Sequence, residues 1–595
     1  MEGPKAPKDA VRKRPGFFLM RNKEIAGSIQ PDGRGIQFLY QNDGRMVSSA
    51  KVVGNVTDEA ILTLLKSAEG FRKLVYSIGV SVEAQEASTG TVDFVFKMYG
   101  KTDTYGGGTV IRVPVPADGR EIEILLAKQQ WSDTDKEPGQ IRFEFPEAGQ
   151  LATVSVKLYL QDGYEAPEEL EETDVDFDSP IYYGMLEKSL MQLGNNSRLK
   201  KALDKARRGE DITIAFIGGS ITQGAGAIPI NTRCYAYETF QGLCRLLGKG
   251  TDENIHYRKA GVGGTPSELG MIRYERDVLR LKEEEAHLEE LPDIVVVEFA
   301  VNDEGDETKG ECYDSLVRKI LSAKNSPAVI LLFAVFVDDF NLQERLSPVG
   351  RAYDLPMVSV KDAVVEQFCQ KPGAGRMVSK SQFFYDSYHP TNIGHRIMAD
   401  CILHLLKKVD TQPVEEDTLQ LEQIKPPLGG AFERVKLLDR NNCSEAIAQI
   451  DCGDFCGTDD DLQAVEMDED LEPTKEFPYN WMYQGGKGDR ADVRIANSNP
   501  ADTRPANIKP FSMDITCTSL LLVFKDSGSI HAGCAEVWAD GEKVLVADPH
   551  INGWTHCNAV ICFRDKECGP HHVEIRMVDG DEDKEFTILG FGYVE

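Results

Sequence analysis

Apolar and polar positions follow three different rhythms along this chain. From about Gly27 to Asp162, segments such as Ser77–Ala84, Thr91–Met98, Arg142–Phe145 and Thr153–Leu160 alternate apolar and polar residues between Gly, Pro and Asp turns. Period-two alternation is the mark of strands with one buried face, so this region is expected to be an antiparallel β-sandwich. An acidic stretch from Glu165 to Asp174 reads as a solvated linker. Beyond it, short apolar runs at Ile212–Ile217, Ile294–Ala300 and Val329–Phe336 alternate with helical patterns such as Cys312–Ser322 and Asn392–Lys407. Strands buried on both faces and separated by helices predict an α/β domain, a parallel sheet with helices on both sides. After Pro-rich sequence at Thr411–Asp417 and Lys425–Gly430, strand patterns return in Ser519–Phe524, Ala535–Ala539 and His572–Val578, predicting a second antiparallel β-sandwich. The 595 residues leave room for roughly three domains, placed at 1–175, 176–410 and 411–595. No internal repeat relates the two sandwiches.

The central region carries the candidate chemistry. The run Ile212–Ile217 ends in Gly218-Gly219-Ser220, which delivers a serine hydroxyl at the carboxyl end of a buried strand, where open α/β sheets bind ligands. The motif is not the Gly-X-Ser-X-Gly elbow, because position 222 is Thr. No Walker lysine follows, which argues against a phosphate-binding turn. A glycine-rich turn, Gly261-Val-Gly-Gly264-Thr-Pro-Ser267, lies after the strand-like run Ile255–Tyr257, and its amides can approach a ligand closely. Asn302-Asp303 closes the run that begins at Asp293 and offers an amide donor, or alternatively a helix cap. Asp386 and His389 sit three residues apart before an apolar helix, a spacing that lets one loop carry a base and its orienter. Spacing alone leaves a backbone carbonyl open as the partner of His389. His395 and His287 read as residues of helices and are assigned no role.

The four blocks Gly-Gly-Ser, Gly-Gly-Thr, Val-Asn-Asp and Asp-X-X-His-Pro, in that order, resemble the SGNH branch of the GDSL esterase superfamily over roughly Ser197–Lys408. That resemblance implies a flavodoxin-like three-layer core. It also implies Ser220 as nucleophile, His389 as base and Asp386 as its orienter, with Ser220, Gly264 and Asn302 as oxyanion donors. Gly219 replaces the Asp of the superfamily name, and Ala300 replaces a frequent Gly. The likeness extends to bacterial carbohydrate acetylesterases, especially intracellular deacetylases of hemicellulose oligosaccharides of the mannan type, through Arg351–Val360 and Asp386–His395. It implies a serine esterase that removes O-acetyl groups from manno- or xylo-oligosaccharides, needing no metal or cofactor. Sandwiches attached to such cores resemble carbohydrate-binding or capping modules. Trp554 and Trp481, both in loop-like sequence, are therefore expected to touch substrate, whereas Trp538 sits within a strand pattern.

Composition narrows the partners. A hydrophobic share of 41% permits globular packing, and a formal net charge of -31 repels nucleic acid and anionic membrane. The first ten residues contain no apolar stretch of the kind a secretory signal requires, and no run reaches transmembrane length, so a cytoplasmic location is expected. Thirteen cysteines without regular spacing read as buried free thiols, and the lone pair Cys452 and Cys456 is weak evidence for zinc. Asp459–Asp461 reads as a solvated loop rather than a calcium site. Both sandwiches offer surfaces for self-association. Two other classes use the same residues: a lipid esterase or thioesterase with an apolar acyl tunnel, and a carbohydrate-binding protein whose core no longer turns over.

Overall fold

The computed structural model describes residues 14–30, 32–41, 45–86, 90–102, 107–169, 172–251, 253–279, 291–371, 374–465, 474–485 and 508–595. The first ten residues and His287, on which two expectations rest, lie outside the described residues.

The central six-stranded sheet runs in the order Leu190–Gln192, Met357–Ser359, Ala328–Phe333, Ile294–Glu298, Ile212–Gly218, Ile255–Gly261. Five strands are parallel. Leu190–Gln192 pairs antiparallel with Met357–Ser359, so the sheet is mixed, not wholly parallel as the sequence pattern predicted. A three-residue strand at the edge follows directly on the helix Pro180–Lys188, without the longer crossover that a parallel neighbour requires. Every residue of Ile212–Gly218 is buried, as an apolar central strand demands. Two hydrophobic clusters, one containing Phe216, Val296 and Leu332, the other Ile217, Val297 and Leu331, occupy the sheet's opposite sides, since successive side chains alternate.

Two antiparallel sheets lie on each side of this domain in the chain. The amino-terminal pair has four and five strands, and the expected segments fall in Val75–Ala84, Thr91–Gly100, Asp135–Phe145 and Leu151–Leu160. Their inward residues, among them Val80, Phe94, Phe143 and Val156, form one cluster. Helices Arg45–Val52, Glu59–Leu64 and Ala68–Leu74 interrupt the strands, and Phe71 and Leu74 join the same cluster. The carboxyl-terminal pair has five strands in each sheet, with the expected segments in Ser519–Asp526, Ala535–Ala539 and Gly569–Met577.

Two expectations change here. Trp481 is not in a loop: it opens the strand Trp481–Gln484, is 3% exposed, and packs its ring against Phe511 and Phe591. A ring enclosed this way presents no face to a sugar, so Trp481 is a core residue and not a substrate contact. Asp459 is buried rather than solvated, and the cation facing its carboxylate is the ammonium of Lys525 at 3.0 Å. The acidic linker keeps its expected exposure, and Glu172 within it accepts hydrogen bonds from the hydroxyls of Ser379 and Ser381. All thirteen cysteines are free. Among the described residues no helix is long and apolar enough to cross a membrane.

Trp481→Ala would leave a cavity where two aromatic contacts were, and is expected to lower stability by about 3 to 5 kcal/mol in chemical denaturation. A loss below about 1 kcal/mol would contradict the core assignment.

Candidate active site

Strand register assembles the site. Gly218 pairs with Gly261 on one side and with Glu298 on the other, so three strands end in one row. The residues that follow them, Ser220, Gly263-Gly264 and Asn302, emerge together at the carboxyl edge of the sheet. The buried Arg273 guanidinium ties two of those ends, donating to the carbonyls of Ala260 at 2.9 Å and Gly218 at 2.8 Å.

Ser220 begins the one-turn helix Ser220–Gln223, and its hydroxyl lies 2.8 Å from His389 Nε2. His389 Nδ1 lies 2.7 Å from Asp386 Oδ2, so the ring donates to the carboxylate and its Nε2 is left to accept the serine proton. The other carboxylate oxygen accepts the backbone N–H of Tyr388 and of His389, each at 2.8 Å. The three-residue spacing works because one carboxylate closes the loop on itself and still reaches the ring. The partner of His389 is thus Asp386, not a backbone carbonyl. Thr391 caps the next helix, Asn392–Thr411, and fixes the end of the loop. His395, in that helix, is structural: its Nδ1 accepts from the Tyr235 amide, its Nε2 donates to the Ala225 carbonyl, and burial holds its pKa down at about 3.

The residues expected as donors lie near Ser220: a Cβ built on Gly263 would stand 4.0 Å from the Ser220 Cβ. Among the described residues no acceptor takes the N–H of Ser220 or of Gly264. The Asn302 side chain lies against Gly219, where a Cβ would stand 2.1 Å from its Oδ1. A side chain at position 219 would therefore displace the Asn302 amide. Gly264 has φ +71°, a conformation glycine adopts without strain, and a Cβ on it would meet His556 and Trp554 at 2.9 Å. Trp554 therefore stands beside the glycine turn, 41% exposed, in the loop that precedes the strand His556–Phe563. Tyr388 and Phe340 are the other exposed rings near His389, joined through Phe336.

Both flanking regions grip the site's loops. Lys23, from an amino-terminal strand, donates to the carbonyl of Tyr385 at 3.0 Å and places its ammonium 4.3 Å from the Tyr385 ring. Burial lowers Lys23 to about 7 against the pull of Asp386 and Glu172. Ser48 hydrogen-bonds Ser387, and Glu24 accepts from Asn392 at 2.9 Å. On the other side, Gln463 and His556 donate to the carbonyls of Gly263 and Gly264. Sequence reasoning missed all of these, because Lys23 and Tyr385 are 362 positions apart and no local pattern links them.

Beneath the loops lie buried carboxyls. Burial, helped by Asp303, raises Glu298 to about 8, and burial raises Asp303 to about 7 despite hydrogen bonds from Ser267. Glu298 accepts from Thr222 Oγ1 at 3.4 Å, and its other oxygen has no hydrogen-bond partner among the described residues. Asp303 instead holds Ser267, linking the Asn302 block to the helix that follows the glycine turn.

Residues 216–397 match the GDSL-like Lipase/Acylhydrolase family. The chain is a carboxylic ester hydrolase. A solved two-domain esterase (CEX) active on acetylated mannans is similar to this hydrolase at 26% identity and a TM-score of 0.53, over 69% of this chain and 99% of its own. The same esterase co-crystallised with mannopentaose aligns at 26% identity and 0.53, over 69% and 98%. No curated protein sequence matches the hydrolase.

Two outcomes follow from this geometry. Gly219→Ala would push the Asn302 amide aside, and kcat for an acetyl ester is expected to fall roughly 10- to 100-fold with little change in thermal midpoint; unchanged kcat would contradict the placement of Asn302. Glu298 holds a proton in the folded chain up to about 8, whereas an ordinary glutamate releases it near 4.5, so its contribution to stability declines as pH rises between those values. Glu298→Gln has no such decline. Its thermal midpoint relative to the parent is expected to rise steadily from about pH 5 to about pH 9, and a constant difference would contradict the raised pKa.

Proposed function

We propose that this hydrolase is a serine acetylesterase that removes O-acetyl groups from hemicellulose-derived manno- or xylo-oligosaccharides through an acyl-enzyme. The observation that carries the mechanism is the hydrogen-bond chain from Asp386 through His389 to the Ser220 hydroxyl, 2.7 and 2.8 Å. Ser220 Oγ attacks the acetyl carbonyl carbon as its proton passes to His389 Nε2, and Asp386 stabilises the imidazolium. Negative charge gathers on the carbonyl oxygen, facing the N–H groups of Ser220 and Gly264 and the amide of Asn302. Collapse breaks the ester bond, His389 returns its proton to the departing sugar oxygen, and an acetyl group remains on Ser220. Water, giving a proton to the same nitrogen, then releases acetate and restores the serine.

The carbohydrate assignment is supported by the likeness to an esterase active on acetylated mannans and by Trp554, an exposed indole beside Gly264 that offers a face on which a sugar ring can stack. We place the catalytic domain at 176–410 in a three-layer flavodoxin-like arrangement, between β-sandwich domains at 1–175 and 411–595. The carboxyl-terminal sandwich supplies one wall of the substrate cleft. Thirteen unpaired cysteines fit a reducing, cytoplasmic setting.

Acetate release from acetylated manno-, xylo- and chito-oligosaccharides, beside a series of model esters of increasing acyl length, tests the proposal. Release from manno- or xylo-oligosaccharides, a steep preference for acetyl, and a loss on the order of 10^6-fold in Ser220→Ala are expected. Trp554→Ala should raise KM for the oligosaccharide and leave that for a small acetyl ester unchanged. Ser220-dependent cleavage confined to long acyl chains would overturn the carbohydrate reading.

A further inference from the structure

In the glycine turn beside Ser220, Thr265 Oγ1 donates to the Val262 carbonyl at 2.9 Å, but the adjacent Gly263 and Gly264 have no side chain to fix the peptide plane between them. It is held from outside. Gln463 Nε2 donates to the Gly263 carbonyl at 2.8 Å, and His556 Nε2 donates to the Gly264 carbonyl at 3.0 Å. Both donors are themselves fixed. Gln463 Oε1 accepts the amide of Cys557 at 2.9 Å. His556 Nδ1 accepts from Asn552 Nδ2 at 3.2 Å, and Asn552 donates its backbone N–H and its side chain to the same oxygen of Asp526, at 2.8 and 2.9 Å. The relay leaves the proton on Nε2, and burial lowers the ring's pKa to about 4, so it stays neutral.

A peptide unit is planar and trans, so the carbonyl of Gly263 and the N–H of Gly264 belong to one plane and point in opposite directions. The Gln463 bond to that carbonyl therefore sets where the Gly264 N–H points. It also draws electron density toward the carbonyl oxygen and makes the N–H a stronger donor. The second bond, from His556, holds the following peptide and prevents the turn from rotating about Gly264. We propose that Gln463 and His556 are positioning residues for ester hydrolysis, through which the carboxyl-terminal domain aims the Gly264 N–H at the oxyanion. This rests on the donor role proposed for Gly264. It makes that domain a part of the catalytic apparatus and not only a surface for sugar.

Kinetics on 4-nitrophenyl acetate for the full chain, Gln463→Leu, His556→Leu and His556→Gln test this, together with binding of a boronic acid that forms a tetrahedral adduct with serine. The leucine variants are expected to lose roughly 10- to 100-fold in kcat and in kcat/KM alike, with KM within about twofold of the parent, because only the transition state meets the oxyanion donors. Boronate affinity should fall by the same factor, and His556→Gln, which keeps a donor, should recover part of the loss. Parent-like kcat per folded molecule with only a lowered thermal midpoint would overturn the proposal and leave the two residues as domain fasteners. If a leucine variant does not fold, Gln463→Glu serves: it is nearly isosteric and can keep the Cys557 bond, but opposes a carboxylate to the Gly263 carbonyl, and must show the same kcat loss. A parent without Ser220-dependent turnover would remove the donor role itself, and this inference with it.

Discussion

A hydrogen bond of 2.8 Å between the Ser220 hydroxyl and the His389 ring joins positions 169 residues apart, and the rest of the molecule is arranged around it. Neither partner can find the other through local structure. Ser220 is fixed by the row of strand ends, Gly218 beside Gly261 and Glu298, while His389 is fixed by a loop folded around the Asp386 carboxylate. A shift of a fraction of an ångström in either would weaken that hydrogen bond, which depends on heavy-atom distance and direction. This constraint gives a physical reason for the gripping of both loops from outside the central domain. Lys23 holds the segment that leads into Asp386, and Gln463 and His556 hold the turn that carries Gly264.

The same constraint accounts for the buried polar groups under the site. Arg273 ties strand ends that a hydrophobic contact would leave free to slide, and Asp303 fixes the helix after the glycine turn through Ser267. Such groups are costly to bury unless they are paired, and Glu298 answers the cost by keeping its proton up to about 8. Hydrophobic packing makes the domains cohere, and directional bonds set the distances among Ser220, His389 and Asp386. The cluster that includes Ile272 and Leu316 of the central region also contains Leu521, Val523 and Leu589, so the carboxyl-terminal sheets are docked through a continuous apolar surface in addition to the bonds of Gln463 and His556.

The central strands, the four motif blocks and the partition into sheet, α/β and sheet regions were legible because each rests on local pattern: apolar runs, glycine turns and a three-residue Asp-His spacing. The antiparallel edge strand Leu190–Gln192 was not, since three residues carry no periodicity. Trp481 misled because Pro478, Tyr479 and Asn480 give its surroundings the look of a loop, while its burial is decided by Phe511 and Phe591 from distant strands. Trp554 kept its loop position, and only the fold brought it to Gly264. Gln463 and His556 carry no signal in sequence at all, because a glutamine or histidine that bonds a backbone carbonyl leaves no mark on its neighbours. What the chain hides is therefore the contact between domains, which tertiary docking alone creates.

The most direct test of the account is to quench the hydrolase during turnover of an acetylated manno-oligosaccharide and map covalent adducts by peptide mass spectrometry. One acetyl group on the peptide that contains Ser220, appearing and decaying with turnover and missing in His389→Ala, is the predicted result. Acetate release with no acetyl on Ser220 at any time, or acetyl carried by another residue, would contradict the chain of hydrogen bonds as the catalytic unit.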